Sequence, residues 1–429
     1  MKIASITAGA AGMYCGSCMR DNTLAAALQR LGHDCVLLST YTPIRTDEAD
    51  VSTRRVFLGG INVYLEQKYR SLRRMPGWLG RFLSQRWLLR WVSRFALETK
   101  AEDLVDLTLS MLRGPDGFQA QELQRLADWL ARAFQPDVVL LTNVLLSGLV
   151  PVLRQRLGKP VVATLQGDDI YLDALPTEAR QQAIALIQKN CQAVAGYVTP
   201  CRWYADFMAD YLGLPRSAMH VVYPGLNLDG FPVTPKSDVG TPLRIGYLAR
   251  IAPEKGLHQL VEALTLLAKD GAVPAWRFEA AGFLAPHRRA YLQEQQQAAE
   301  RGGWRDRFHY VGEPDHAGKI AFLSGLDLFS APTTYREPKG LYVLEALACG
   351  VPVVQPQHGS FPELVELTGG GVLVAPGDPA ALAARLAELL RDTGRRRQLG
   401  AAGQAAVRSR FTAEQMAQAT ATVLARYLP

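Results

Sequence analysis

Short apolar runs alternate with amphipathic segments along nearly the whole chain. This is the pattern of parallel α/β architecture, in which helices cover both faces of each strand. In the first half, the runs predicted as strands are residues 3–8, 34–39, 137–142, 160–165, 196–199 and 220–223. Helical periodicity lies between them, as over residues 23–31, which stop at Gly32. Pro224, Pro232, Pro235 and Pro242, with Gly225, Gly230 and Gly240, then mark a linker. Beyond it the alternation restarts at 243–247, 277–281, 308–311, 326–330, 352–355 and 371–374. The expected fold class is α/β, with two tandem Rossmann-like, doubly wound parallel-sheet domains at 1–225 and 226–410. A last helix, at about 413–427, follows no strand of its own. A stretch from about 44 to 130 interrupts the first domain with mostly helical sequence.

At 429 residues and 48 % hydrophobic, the chain can bury a core in each domain. No uncharged apolar run is long enough for a membrane span, which needs about 18 residues. The N-terminus reads as a buried first strand rather than a signal peptide, so a cytoplasmic location is expected. Six cysteines do not make a disulfide scaffold. Cys15 and Cys18 have C-x-x-C spacing, but no second pair or nearby His-x-x-x-His completes a metal site, and small residues in a tight loop account for them. The net charge of +7 is local. Lys68, Arg70, Arg73, Arg74, Arg81, Arg86, Arg90 and Arg94 form a run without an acid, and the rest of the chain is about balanced. That points to one basic surface, not to a nucleic-acid partner. Trp78, Trp87 and Trp91 lie in the same run, and the apolar residues between 69 and 95 recur at spacings of three and four. This face would suit an anionic membrane surface, a dimer contact or the wall of an acceptor pocket. Simple packing into the first domain, with solvated arginines, accounts for it equally.

In open parallel sheets, ligands bind beyond the carboxyl ends of the strands. Four loops there carry unusual residues. The first is glycine-rich, from Ala8 to Ser17, and enters a helix through Arg20, Asp21 and Asn22. Its glycines let backbone N–H groups approach an anion, and tight strand-to-helix turning is the plain alternative. It lacks the Gly-Lys-Ser/Thr of a Walker loop and the full dinucleotide fingerprint, which argues against a Rossmann oxidoreductase. The second, Gly246 to Leu257, places Arg250 and Lys255 just before a helix. A cation there opposes the helix dipole, so structure alone does not favour it, whereas a diphosphate would. The third, Glu337 to Glu345, sets two carboxylates eight residues apart around Gly340, a spacing that can reach hydroxyls at two ends of one polyol. The fourth, Leu165 to Asp169, offers Gln166 and Asp168 as site residues or helix caps.

With these residues in view, the chain resembles the retaining glycosyltransferases of family four, which have the GT-B fold. Glu337 and Glu345 match that family's E-x7-E motif, and Ala346 to Val354, Gly359 to Glu363 and Gly370 to Val374 match its continuation. Gly246 to Gly256 matches its arginine–lysine phosphate loop, and Leu24 to Val36 its first helix and second strand. The resemblance implies an active site in the cleft between the domains and a final helix, from residue 411 on, that crosses back to the first domain. It implies a hexosyltransferase whose donor is a nucleotide-diphosphate sugar. It also implies catalytic roles for Glu337, Arg250 and Lys255. Gly16, Arg250, Lys255, Gly340, Leu341 and Glu345 should bind the donor nucleotide and its phosphates. Gln166, Asp168, Lys339 and Asn143 should touch the donor sugar or the acceptor. No metal and no cofactor are implied, since the cations would neutralise the diphosphate. Partners are then the nucleotide sugar and an acceptor that is a sugar, a small molecule or a lipid-linked glycan, the last placing the protein at the inner face of the membrane. Two departures stand out: Lys339 replaces a usual aromatic or apolar residue, and Gln166 replaces a frequent His. A nucleotide-sugar epimerase of the same fold and an inactive sugar-binding scaffold are the rival readings.

Overall fold

A computed structural model describes residues 1–9, 16–56, 101–234 and 241–429. These divide into two units, Met1–Gly225 with Ala413–Pro429, and Leu226–Thr412.

The first unit is a seven-stranded sheet in the order β3-β2-β1-β4-β5-β6-β7. Its strands are β1 (Lys2–Thr7), β2 (Asp34–Ser39), β3 (Ser52–Val56), β4 (Val138–Leu141), β5 (Val161–Thr164), β6 (Gly196–Thr199) and β7 (Met219–Val221). Neighbouring strands run parallel, with Ile3 opposite both Cys35 and Val138. Period-two alternation sorts the side chains onto two covered faces. Ile3, Val138 and Val162 pack under helix α1 (Gly16–Arg30) through Leu24, Ala25 and Leu28. Ala4, Val139 and Val161 face the other layer, with Leu112 of α2 (Ala101–Leu112), Leu126 of α3 (Ala120–Trp129) and Leu153 of α4 (Leu149–Leu157). Further described helices of the unit are α5 (Asp168–Asp173), α6 (Thr177–Cys191) and α7 (Arg202–Leu212).

Two features differ from the expected pattern. Helix α1 starts at Gly16, well before the apolar stripe at 23, and its early turns bury Arg20, Asp21 and Asn22. Polar residues in a helix read as surface unless a polar site lies beneath them. Strand β3 lies inside the stretch expected to be mostly helical, and it pairs with β2 at the sheet edge. Its sequence, Ser-Thr-Arg-Arg-Val, carries no apolar run, as suits an edge. The aromatic and basic run at 69–95 lies outside the described residues, as does Cys15; Cys18 is buried in α1.

The second unit has a six-stranded sheet in the order β10-β9-β8-β11-β12-β13. Its strands are β8 (Leu243–Leu248), β9 (Trp276–Ala281), β10 (Phe308–Gly312), β11 (Leu328–Phe329), β12 (Val353–Pro356) and β13 (Gly371–Val374). The helices are α8 (Leu257–Leu267), α9 (Arg289–Arg301), α10 (His316–Ser324), α11 (Leu341–Ala348), α12 (Phe361–Thr368), α13 (Pro379–Arg391) and α14 (Thr393–Arg410). Helix α11 is apolar nearly all round and buries Val343, Leu344, Ala346, Leu347 and Ala348, so its first turn is held rigidly at the sheet's carboxyl end. The last helix, α15 (Ala413–Ala425), belongs to the first unit, where Met416, Ala417 and Leu424 join the core under α1.

Candidate functional site

In the second unit, β8 ends at Leu248, and the loop after it is drawn inward by buried Ile251 and Ala252. Pro253–Lys255 make one 3-10 turn, and Gly256 at φ +75° redirects the chain into α8. An ideal Cβ at Gly256 would lie 1.7 Å from the carbonyl oxygen of Pro332, so only glycine lets the two loops meet. The turn delivers Lys255 inward, its side chain 12 % exposed. Arg250 stays outward, 46 % exposed, and reaches Glu254 at 3.4 Å.

Glu337 is the most heavily bonded acid of this region. Its Oε2 accepts from Lys255 Nζ at 3.0 Å, from the Tyr342 hydroxyl at 3.2 Å and from the Tyr335 hydroxyl. Its Oε1 faces the backbone N–H of Lys339 at 3.3 Å and of Gly340 at 3.5 Å. Burial raises the pKa of this carboxyl, but the Lys255 ammonium, the Tyr335 hydroxyl and the Lys339 charge outweigh burial and hold it at about 2. Glu337 is therefore an anion at any physiological pH and cannot serve as a general acid. Behind it, Gly359 sits at φ +59°, where a Cβ would come within 2.5 Å of the Glu337 carbonyl oxygen.

Gly340, at φ +63°, caps α11 and its carbonyl accepts from the Val343 N–H at 3.0 Å, while the amides of Leu341 and Tyr342 at the helix start have no acceptor within the helix. Lys339 is buried beside them. Glu345, one helical turn and more onward, does not touch this cluster. Its Oε1 accepts from Lys319 Nζ of α10 at 2.6 Å. The structure thus joins Lys255, Glu337, Lys339 and Gly340 directly, leaves Arg250 at the rim and gives Glu345 its own cation. Sequence reasoning missed Tyr335, Tyr342 and Lys319. The first two flank Glu337 closely enough to have been suspected, whereas Lys319 lies 26 residues from its partner and gives no local signal.

In the first unit, the carboxyl ends of β1, β4 and β5 meet over one buried acid, Asp21. Its Oδ2 accepts from Thr7 Oγ1 at 3.1 Å and from the Thr142 hydroxyl, and its Oδ1 from Gln166 Nε2 at 3.2 Å. Gln166 Nε2 also reaches the carbonyl and hydroxyl oxygens of Thr142, both at 2.9 Å, which fixes the amide's orientation. Arg20 lies beneath, with Nη1 3.6 Å from Asp21 Oδ1. Burial raises the Asp21 pKa against the pull of Arg20, and burial lowers the Arg20 pKa against the pull of Asp21. Asp168 has a joining role: its carboxylate accepts from the N–H groups of Val144 at 2.8 Å and Gln166 at 2.9 Å, tying the loops after β4 and β5. Burial pushes its pKa up to about 6 despite those bonds. Asn143 has a buried Oδ1 with no hydrogen-bond partner among the described residues. Gly16 opens α1 and is exposed.

Residues 22–225 match the family model for the glycosyl transferase 4-like domain, and residues 235–406 match that for glycosyl transferases group 1. The structure of Anabaena HepE in complex with UDP covers 99 % of this chain and 100 % of its own, with a TM-score of 0.70 and 18 % identity. The chain has the GT-B fold, and each of its two halves matches a glycosyl transferase family model. Among similar proteins is the lipopolysaccharide core biosynthesis mannosyltransferase LpsB of Rhizobium meliloti, 34 % identical over 183 residues, or 42 % of this chain and 50 % of the relative. Another is the phosphatidyl-myo-inositol mannosyltransferase of Mycobacterium leprae, 33 % identical over 189 residues, or 43 % of this chain and 47 % of the relative. The chain spans about half the length of the curated relatives it matches. Among the described residues of this GT-B chain, no helix is long and apolar enough to cross a membrane, and no group of three or more His, Cys, Asp and Glu residues is placed to hold a metal ion.

Proposed function

We propose that the chain is a retaining, metal-independent family four glycosyltransferase that moves a hexose from a nucleotide-diphosphate sugar to an acceptor hydroxyl. One observation carries this reading: the buried Glu337 carboxylate is bonded to Lys255 beside the capped N-terminus of α11. A fixed anion next to a cation and unused helix amides matches a ligand with hydroxyls at one end and a diphosphate at the other.

In this reading, Lys255, Arg250 and the amides of Gly340 and Leu341 hold the diphosphate, and Gly16 is a further candidate for binding the donor's phosphates. Glu337 holds sugar hydroxyls, and Glu345 holds the ribose. The bond from the anomeric carbon to the phosphate oxygen breaks, and the diphosphate takes the electron pair. The acceptor oxygen bonds the same face of the sugar, and its proton passes to the departing phosphate oxygen. The protein supplies position and charge, and the cations do what a metal ion would otherwise do. Lys339 touches the phosphate or an acidic sugar, and Gln166, Asn143 and Asp168 shape the sugar and acceptor side. LpsB and the Mycobacterium leprae relative are named mannosyltransferases, and HepE is solved with UDP, so GDP-mannose and UDP-glucose are the first donors to try. A glycan or lipid-linked acceptor at the cytoplasmic membrane face fits the two mannosyltransferase names.

A thermal-shift panel of nucleotide sugars tests the reading. A true donor at about 100 times its dissociation constant adds roughly 2.7 kcal/mol of stability. Transfer must then survive EDTA, and proton NMR must show the donor's anomeric configuration in the product. Loss of transfer in EDTA with rescue by Mg²⁺, or an inverted product, rejects the corresponding claim.

A further inference from the structure

Around Lys255, three side chains close a triangle of hydrogen bonds. The ammonium donates to Glu337 Oε2 at 3.0 Å and to the Tyr335 hydroxyl, and the Tyr335 hydroxyl donates to the same Oε2. The ammonium lies at the hydroxyl end of the Tyr335 ring, 4.8 Å from its centre, and 5.4 Å from the centre of the Tyr342 ring. Tyr342 adds its own hydroxyl to Oε2 at 3.2 Å. An ammonium has three N–H groups. Two are committed to the triangle, and one remains.

We propose that Tyr335 is a positioning residue of the transfer reaction, fixing Lys255 and Glu337 to each other so that a single N–H of the ammonium is aimed at a donor oxygen. This rests on the function proposed above. A lysine is a compact charge on a flexible stem and will follow the nearest anion. Glu337 is that anion, and the two are in contact at 3.0 Å. The phenol bonds both partners at once, which fixes how they face each other and takes a second N–H of the ammonium. Burial and the neighbouring Glu337 charge both hold the Tyr335 hydroxyl in its neutral, donating form. The other charges acting on Tyr335 are Arg250 and Glu254, at the loop's outer edge.

Tyr335→Phe keeps the ring and removes only the oxygen. It should lower kcat at least tenfold, while the Kd for UDP or GDP by titration calorimetry changes less than threefold and the melting temperature is preserved. Lys255→Ala should lose both turnover and nucleotide affinity. A measurement independent of turnover is the acetylation rate of Lys255 by acetic anhydride in the folded protein, read by peptide mass spectrometry; Tyr335→Phe should raise it several-fold. The proposal fails if Tyr335→Phe leaves kcat within twofold and the labelling rate unchanged. It also fails if kcat and nucleotide affinity fall together with the melting temperature, since Tyr335 would then only support the fold. If the parent protein binds neither nucleotide and turns over no nucleotide sugar, the proposed function is what fails, and the labelling rate alone decides the role of Tyr335.

Discussion

The Lys319 ammonium donates to the Glu345 carboxylate across 2.6 Å, with the two side chains 10 % and 9 % exposed. This pair joins α10 to α11 inside the second unit. Removing one member of a buried pair strands the other charge, at a cost of about 3–5 kcal/mol. Lys319→Met should therefore lower the melting temperature by roughly 10 °C, at a few degrees per kcal/mol for a unit of this size. Lys319→Met combined with Glu345→Met should recover most of that loss, because no charge is then left unpaired. Differential scanning calorimetry checks both. A single variant as stable as the parent would mean that the pair is not formed in solution. Glu345→Ala should in addition weaken nucleotide binding, since Glu345 is proposed to hold the ribose.

Glu337→Gln is a second test. The amide presents an N–H₂ where the carboxylate accepts from Lys255, so the local charge and bonding both change while the shape does not. Turnover should fall more than tenfold, with UDP or GDP affinity within threefold of the parent. A rate within about threefold of the parent, equivalent to roughly 0.7 kcal/mol, would remove Glu337 from its proposed role.

The alternation of apolar runs made most strands legible, because a parallel strand covered on both faces must be continuously apolar. Strand β3 was not legible: an edge strand with Arg54 and Arg55 at its centre has no such run. Glu337, Lys255 and Gly340 could be read because their roles show in local chemistry, a carboxylate and a cation placed at helix starts. Lys319 and Asp21 could not. Each acts through partners distant in sequence, Asp21 through Thr142 and Gln166, and only the folded sheet brings them together. The polar turns of α1 were left out of the predicted helix for the same reason.

Glu337 and Asp168 give opposite pH signatures. Glu337 is held at about 2, below its ordinary 4.5, so its contribution to stability is fully present above pH 4.5 and is lost as pH falls toward 2. The stability difference between the parent and Glu337→Gln should shrink over that range. Asp168 is raised to about 6 from its ordinary 3.8, so its burial penalty is full above pH 6 and relieved toward pH 3.8. Relative to Asp168→Asn, the parent should gain stability as pH falls from 6. Urea denaturation of the three proteins at stepped pH values reads both trends. Parallel curves for either variant and the parent would mean that the corresponding carboxyl titrates normally.

The placement of Lys255 depends on the residue after it. Gly256 stands at φ +75°, a region that costs a residue with a side chain about 1–2 kcal/mol. The larger obstacle is the Pro332 carbonyl oxygen, 1.7 Å from where a Cβ would stand. A backbone carbonyl cannot rotate aside as a side chain can, so one of the two loops has to move. They are already joined by the Thr334 N–H to the Glu254 carbonyl at 3.0 Å, so a shift at Gly256 carries Lys255 away from Tyr335 and Glu337. Gly303 provides the comparison, because it has a similar φ of +76° with nothing within 4 Å of its would-be Cβ. Gly303→Ala should show the conformational cost alone and keep full turnover and nucleotide affinity. Gly256→Ala should lose more stability than Gly303→Ala, at least tenfold in turnover, and nucleotide affinity as well, because the cation leaves its place. Equal stability losses in the two variants, with turnover retained in both, would show that the loop carrying Lys255 is not pressed against Pro332 and that Lys255 reaches its place by another route.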